Sequence, residues 1–189
     1  VSCDTDCSVL VVGGSGGLWR AGNLALDGAW EDVPELRLRP HLRSVSSGNS
    51  GFVVTTCDDE YLYLAARLDR PVTKRVGVST SRTFDADHSG FDRLAIFLDI
   101  DRDYQVGYVL TVDERGEVSE RCGGDASWNP RCVVAIDSDD QAWRLEMAIR
   151  WTELAPGRPA PGTCWGMRLV RTLPAEGWQG WGGTADHRG

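Results

Sequence analysis

The sequence predicts an antiparallel β-sandwich that forms one domain, or one domain with a short arm. Three observations carry this prediction: many short strand-like runs, turns rich in Gly, Pro and Asp between them, and almost no helical periodicity. The chain has 189 residues, of which 41% are hydrophobic and 25% are charged. This length and composition suffice for one sizeable core.

The first predicted strands lie in the N-terminal half. Ser8 to Val12 is a largely apolar run and has the length of a strand. The glycine run Gly13–Gly17 lacks the Gly-Lys-Ser/Thr ending of a phosphate-binding loop, so we expect a turn there. Further on, the runs Phe52–Thr56 and Tyr61–Leu68 flank the acidic pair Asp58-Asp59, which predicts a hairpin.

The C-terminal half continues the pattern. Strands are predicted at Arg93–Asp99, Val106–Val112, Cys132–Ile136, Ala142–Ile149 and Cys164–Val170, with Gly177–Gly183 as the last edge. From Trp143 to Ile149, large apolar residues alternate with others, which is typical of a half-buried strand. One helical turn is expected at residues 151–154, before Pro156.

The charge balance limits the partners. With 28 acidic and 20 basic residues, the formal net charge is -8, so nucleic acid and anionic membranes are repelled on average. No apolar run approaches the ~20 residues of a membrane helix. No secretory leader pattern opens the sequence, so a secreted protein would be present here as its mature form or as an excised fragment.

Six cysteines favour an oxidising compartment, and hence secretion or the cell surface, with up to three disulfides. They are Cys3, Cys7, Cys57, Cys122, Cys132 and Cys164. No C-x-x-C pair occurs and only three histidines are present, which argues against structural zinc. Because turn residues separate Cys122 from Cys132, we predict a disulfide between these two. Buried free thiols are the alternative.

Two acidic segments are candidate calcium ligands because they place carboxylate or hydroxyl oxygens on alternate residues. The two sets are Asp85, Asp87 and Ser89, and Asp99, Asp101 and Asp103. The first set is not an EF-hand, since Ile96 stands where that loop needs a glutamate. A solvated acidic loop is the alternative for both.

Tryptophan is abundant, with eight residues, and a flat aromatic ring packs well on the apolar face of a sugar. Trp143, Trp151 and Trp165 lie in predicted strands or next to them, and we assign them to the core. Trp128, Trp178 and Trp181 lie among Gly, Ser, Asn and Gln. These three are therefore candidates for exposed sugar-stacking platforms.

Catalytic motifs are absent from the sequence, and we expect no enzyme. The three histidines, His41, His88 and His187, lie in predicted loops with no nucleophile motif beside them. The only methionines, Met147 and Met167, lie in predicted strands and are expected to fill the core.

Five segments, taken together, resemble family 9 carbohydrate-binding modules or a close relative in the same β-sandwich superfamily. They are Leu26–Trp30, Asp58–Leu64, Asp92–Asp99, Trp143–Trp151 and Trp165–Arg168. Each motif alone is weak, and their order and spacing carry the resemblance. It covers residues 26 to 183, so we divide the chain into an N-terminal arm with a first strand (1–25) and a module (26–189).

The resemblance implies a jelly-roll-like β-sandwich, secretion, bound calcium and recognition of glycan ends between two tryptophans. The sequence departs from the family in two places. Ala95 stands where the family has a glutamate. The platform tryptophan that the family has shortly before Asp92 is missing, and Phe91 is the aromatic residue in that neighbourhood. The second platform has a counterpart in Trp178 or Trp181, so at most half of the sugar clamp carries over.

We therefore predict a non-catalytic carbohydrate-binding module of a secreted or cell-surface protein, with calcium ordering its loops. The predicted sugar contacts are Trp178, Trp181, Trp128 and Phe91. Carbohydrate is the expected ligand, and other domains of a larger protein are expected partners. Two alternatives remain open: a structural or adhesive β-sandwich domain that binds no sugar, and a haem-binding subunit of a redox complex.

Overall fold

The computed structural model describes the strands and most of the turns that join them. The described residues are 9–12, 35–37, 39–40, 51–57, 59–70, 77, 85–103, 107–160, 163–174 and 176–181. Their elements are β1 (Val9–Val12), β2 (Glu35–Arg37), β3 (Arg39–Pro40), β4 (Gly51–Cys57), β5 (Tyr61–Asp69), β6 (Arg93–Asp99), β7 (Tyr108–Asp113), β8 (Val118–Cys122), β9 (Cys132–Ser138), β10 (Ala142–Arg150), α1 (Trp151–Leu154), β11 (Thr163–Leu173) and β12 (Gly177–Trp181).

The described strands form two sheets, and every pairing between them is antiparallel. The larger sheet has seven strands in the order β3-β12-β11-β6-β7-β8, with β1 also paired to β11. The smaller has five strands in the order β2-β4-β5-β10-β9. Side chains of both sheets meet in one apolar core. The predicted β-sandwich is therefore confirmed.

Alternation along the strands separates the two faces of the larger sheet. In β6, Leu94, Ile96 and Leu98 are buried, whereas the residues between them are half-buried. Strand β11 alternates in the same way. Because successive side chains of a strand point to opposite faces, one face of this sheet covers the core and the other faces outward. We call the second face the outer face.

The core contains the large side chains that the sequence assigned to it. Trp143, Trp151 and Trp165 are each 2% exposed or less. The rings of Trp151 and Trp165 meet edge to face, with centroids 5.6 Å apart. Met147 and Met167 are also buried in this cluster, as predicted.

Most predicted strands are confirmed, and so is the hairpin of β4 with β5; β9 also pairs with β10. Strand β12 is not an edge, because it lies between β3 and β11. The expected half-burial of β10 is wrong in its C-terminal part, where Glu146 and Ala148 are buried as well. Among the described residues, no helix is long and apolar enough to cross a bilayer.

The predicted disulfide between Cys122 and Cys132 is wrong, because Cys122 is a free thiol. Cys122 ends β8 in the larger sheet, and Cys132 begins β9 in the smaller one. A tight turn pairs Cys122 with Asp125, and the chain then crosses to the other sheet before Cys132. The two sheets of a sandwich pack ~10 Å apart. Cys3 and Cys7 lie outside the described residues.

Candidate functional site

A row of small residues crosses the middle of the outer face of the larger sheet. Antiparallel register aligns Gly180, Val170, Ala95, Thr111 and Ser119 in one row across β12, β11, β6, β7 and β8. All five residues are half-buried. We call this set the floor row. Its side chains are small, so a ligand could approach the sheet closely along it.

Larger side chains border the floor row on both sides. One border consists of Trp178, Thr172, Arg93 and Asp113, and the other of Arg168, Phe97, Val109 and Arg121. The Arg168 guanidinium lies 5.2 Å from the centroid of the Phe97 ring. Burial lowers the pKa of Arg168. The outer face thus combines aromatic rings with hydrogen-bond donors, the two kinds of group that sugars require.

Trp178 is half-buried and lies along the end of the floor row. A Cβ atom at Gly180 would lie 3.3 Å from Cζ3 of the Trp178 ring. The indole therefore occupies space that the missing side chain of Gly180 leaves open. Trp181 ends β12 opposite Leu169, and its side chain lies outside the described part of the chain.

The other two predicted sugar contacts are covered by protein on one side. Trp128 packs on Tyr108 with ring centroids 4.7 Å apart, and its Nε1 donates to the Glu153 carbonyl at 3.3 Å. The Arg115 guanidinium lies 3.5 Å from the centroid of the Phe91 ring. The structure does not place Trp128 on the outer face, and the role of both residues in sugar binding stays a prediction.

The loop of residues 85–91 is attached to the outer face by three side chains. Arg93 donates to the His88 carbonyl at 3.1 Å, and Arg115 donates to the Asp87 carbonyl at 2.8 Å. The ring of His88 lies between two strand residues, with Nδ1 2.9 Å from Oδ2 of Asp113 and Nε2 2.9 Å from Oγ of Ser119. The loop is thereby held beside β7 and β8.

The charge of Asp113 fixes how protons are arranged in this chain of hydrogen bonds. Burial raises the pKa of Asp113, but hydrogen bonds from His88 and Arg115 outweigh burial and lower it to about 2. The carboxylate is therefore ionised at neutral pH and can only accept, so Nδ1 of His88 carries a proton. In the neutral imidazole, Nε2 then accepts from the Ser119 hydroxyl.

A groove of ≈ 260 Å³ opens beside Ser119. Its lining residues are Asp85, Val109, Thr111, Ser119, Glu120, Arg121 and Ala126. The groove lies at the β8 edge of the outer face, whereas Trp178 lies on β12, near the other edge of the same face. The outer face therefore carries two separate features, an aromatic platform and a polar groove.

One of the two predicted calcium segments brings its carboxylates together. Single oxygens of Asp99, Asp101 and Asp103 lie within 4.8 Å of one another. Gly166 on the adjacent strand leaves room for Asp99, since a Cβ there would lie 3.2 Å from the Asp99 Cβ. Three closely spaced carboxylates are a donor set that suits calcium, so these residues fit the implied ion.

The other segment is arranged differently. Asp87 accepts the backbone N–H of Ser89 at 2.8 Å. Hydrogen bonds from Ser89 lower the pKa of Asp87. Among the described residues, no close group of three acidic, histidine or cysteine side chains includes Asp85 or Asp87. Calcium binding at Asp85, Asp87 and Ser89 stays a prediction.

Sequence reasoning missed the contacts between His88, Asp113 and Ser119. Asp113 and Ser119 flank the turn at Gly116, whose φ of 89° is favourable for glycine. The hairpin of β7 and β8 around this turn brings Asp113 and Ser119 to one edge of the sheet. Nothing in the sequence indicated that a loop 25 residues before Asp113 would place His88 between them.

Known structures share this fold at low sequence identity. A family 9 carbohydrate-binding module from Caldicellulosiruptor kristjanssonii in complex with cellotriose is 18% identical, with a TM-score of 0.60 over 92% of this chain and 78% of that chain. A glucose complex of such a module from the same organism is also 18% identical, with a TM-score of 0.59 over 91% and 83%. A Bacteroides uniformis protein provisionally described as carbohydrate-binding is 10% identical, with a TM-score of 0.58 over 83% and 80%.

No family model matches the sequence, and no curated protein matches it. The structural likeness confirms that the chain has the fold of family 9 carbohydrate-binding modules, as the resemblance implied. At this level of identity, likeness extends to the fold alone.

Proposed function

We propose that this chain is a carbohydrate-binding module that holds a sugar against Trp178 on the outer face. The observation that carries the proposal is the position of the half-exposed indole, which lies against Gly180 at the end of the floor row. An indole supplies a rigid apolar surface that loses little conformational entropy when a sugar stacks on it. The sugar would be held without being cleaved.

The neighbours of Trp178 suit this role. Thr172 stands beside it in the same row, and Arg93 follows on the next strand. A hydroxyl and a guanidinium can both hydrogen-bond sugar hydroxyls. The floor row gives sugar rings access to the sheet between the two rows of larger side chains. Trp181 and Phe91 are proposed as secondary contacts.

We further propose that Asp99, Asp101 and Asp103 hold a calcium ion. Bound calcium, with its two positive charges, would offset most of the repulsion among the three carboxylates and stabilise the turn that follows β6, at one end of the outer face. Its role would be structural.

We also propose an extracellular location, because the expected ligand is a glycan and the parent protein is expected to be secreted or surface-attached.

A titration of glycans into the protein tests the proposal. Calorimetry with cello-oligosaccharides and a glycan array, each with calcium and with a chelator, would identify the ligand. The Trp178→Ala variant should lose at least about tenfold in affinity, which corresponds to ~1.4 kcal/mol. Tyr61→Ala is the matched control, because Tyr61 is a half-buried aromatic residue on the smaller sheet.

Two outcomes would contradict the proposal. If the wild-type chain binds no glycan in either condition, the structural or adhesive alternative replaces it. If glycan binds equally well to wild type and to Trp178→Ala, the outer-face platform is wrong, and variants of Trp128 and Trp181 would locate the site.

A further inference from the structure

Ser119, His88 and Asp113 form a continuous hydrogen-bonded chain beside the groove. The distances are 2.9 Å from Ser119 Oγ to His88 Nε2 and 2.9 Å from His88 Nδ1 to Asp113 Oδ2. These residues come from the 85–91 loop and from two adjacent strands. Hydroxyl, imidazole and carboxylate in this order are the arrangement that activates a serine for acyl transfer.

Each member has the environment that its role requires. Asp113 is fully buried. Arg115 fixes the orientation of the Asp113 carboxylate, because its Nε and Nη2 donate to Oδ2 at 3.1 Å and 2.6 Å. The ionised carboxylate selects the tautomer of His88 that leaves Nε2 as the acceptor. Ser119 is half-buried and lines the groove.

We propose that this chain hydrolyses small acyl esters in the groove, with Ser119 as the nucleophile and His88 as the general base. This inference goes beyond the proposed sugar binding and does not depend on it. The groove has a volume of ≈ 260 Å³, slightly below the usual ~300–1,000 Å³ of small-molecule pockets, which favours short acyl groups. Arg121 lies two residues beyond Ser119 on the same strand face and also lines the groove. Its guanidinium can stabilise the oxyanion.

The reaction needs only the ester and water. Ser119 Oγ bonds to the ester carbonyl carbon and passes its proton to His88 Nε2. The bond from that carbon to the alcohol oxygen then breaks, and His88 returns the proton to the alcohol as it leaves. Water bonds to the acyl carbon while His88 Nε2 accepts a proton from it. The bond from the acyl carbon to Ser119 Oγ then breaks, His88 gives the proton to Oγ, and a carboxylic acid is released. No group is oxidised or reduced.

Two probes test the proposal on the full chain. A fluorophosphonate reagent should label Ser119, as located by peptide mass spectrometry, and p-nitrophenyl acetate should be hydrolysed. Ser119→Ala should abolish the labelling, and both Ser119→Ala and His88→Gln should lower kcat/KM by about 10²-fold or more. The matched control is Ser127→Ala. Ser127 lies on an exposed turn outside the Ser119–His88–Asp113 relay, so this variant should retain both activities.

Two controls separate loss of the reaction from loss of the fold and from loss of sugar binding. Circular dichroism and thermal unfolding would show whether Ser119→Ala and His88→Gln fold, and Trp178→Ala should still react with the probe if it loses sugar binding. An adverse result is a folded wild-type chain that neither reacts with fluorophosphonate nor hydrolyses the ester, or a Ser119→Ala variant as active as wild type. Either would reduce the relay to a structural attachment of the 85–91 loop, without affecting the proposed sugar binding.

Discussion

Arg171 binds Asp92 through two hydrogen bonds inside the sandwich. Its Nε donates to Oδ1 at 2.9 Å and its Nη2 donates to Oδ2, while the Arg171 side chain is 0% exposed. The same guanidinium donates to the Asp69 carbonyl at 2.6 Å, and Trp143 donates to Asp92 at 2.8 Å. Because Asp69 and Trp143 belong to the smaller sheet, this network joins both layers.

Removing the charge of Asp92 should therefore be costly. Breaking a buried ion pair leaves the remaining ion desolvated and uncompensated, which costs about 3–5 kcal/mol. We expect the Asp92→Asn variant to lose that much free energy of unfolding, measured by urea denaturation at pH 7. Asp137→Asn is the control, since Asp137 pairs with Arg144 at the surface and such pairs contribute about 0–1 kcal/mol. Equal losses in the two variants would contradict this interpretation.

Strands with strict alternation were predictable from sequence. The bounds of β6 match the prediction because Leu94, Ile96 and Leu98 all face the core, so periodicity alone defines the strand. Strand β8 was not predicted, since its sequence, VSERC, carries three polar residues in five. An edge strand tolerates polar and charged residues, and its apolar signal is correspondingly weak.

The site was only partly predictable, because its contacts join distant parts of the chain. Polar neighbours suggested that Trp128 is exposed, but it is half-buried and its ring packs on Tyr108, which lies 20 positions away in the sequence. The predicted disulfide failed for a related reason: local turn residues do not reveal which sheet the chain enters next. Local composition predicts turns and strands, whereas long-range packing decides which side chains remain accessible.

Asp113 should make stability depend on pH in the acid range. Its pKa is lowered from 3.8 to about 2 in the folded chain. A carboxylate with a depressed folded pKa stabilises the protein above its unfolded pKa and loses that contribution as pH falls to the folded value. We expect about 2 kcal/mol to be lost between about pH 4 and pH 2, measured by urea denaturation across this range.

The Asp113→Asn variant should lack that component of the pH dependence and should be less stable than wild type at pH 7. His88→Asn removes one of the hydrogen bonds that lower the pKa of Asp113. It should therefore narrow the pH range over which stability is lost, without abolishing the loss. A wild-type profile whose slope between pH 4 and pH 2 is unchanged by Asp113→Asn would show that other carboxylates dominate acid unfolding.

Gly180→Ala should displace the Trp178 indole without removing it. The new Cβ would lie 3.3 Å from the ring and 3.5 Å from the Leu169 carbonyl oxygen, so the ring has to shift. We expect glycan affinity to fall roughly tenfold, about 1.4 kcal/mol. The free energy of unfolding should change by less than about 1 kcal/mol, the scale of a Gly-to-Ala change in a strand.

Gly157→Ala, which has open space around the new Cβ, is the control for calorimetry and urea unfolding. Unchanged affinity in Gly180→Ala would indicate that the sugar does not depend on this ring position.

Calcium should raise thermal stability through Asp99, Asp101 and Asp103. Their like charges repel one another, and an ion that binds only the folded state stabilises it by about 2.7 kcal/mol at a concentration 100 times its Kd. We expect the melting temperature to rise with added calcium, to return with a chelator, and to respond weakly to magnesium, which prefers a stricter octahedral geometry. Asp101→Asn should abolish the rise, whereas Asp125→Asn, at an exposed turn elsewhere, should retain it. Loss of the rise in Asp87→Asn would instead place the ion in the 85–89 segment, and no rise in the wild-type chain would mean that both acidic segments are solvated loops.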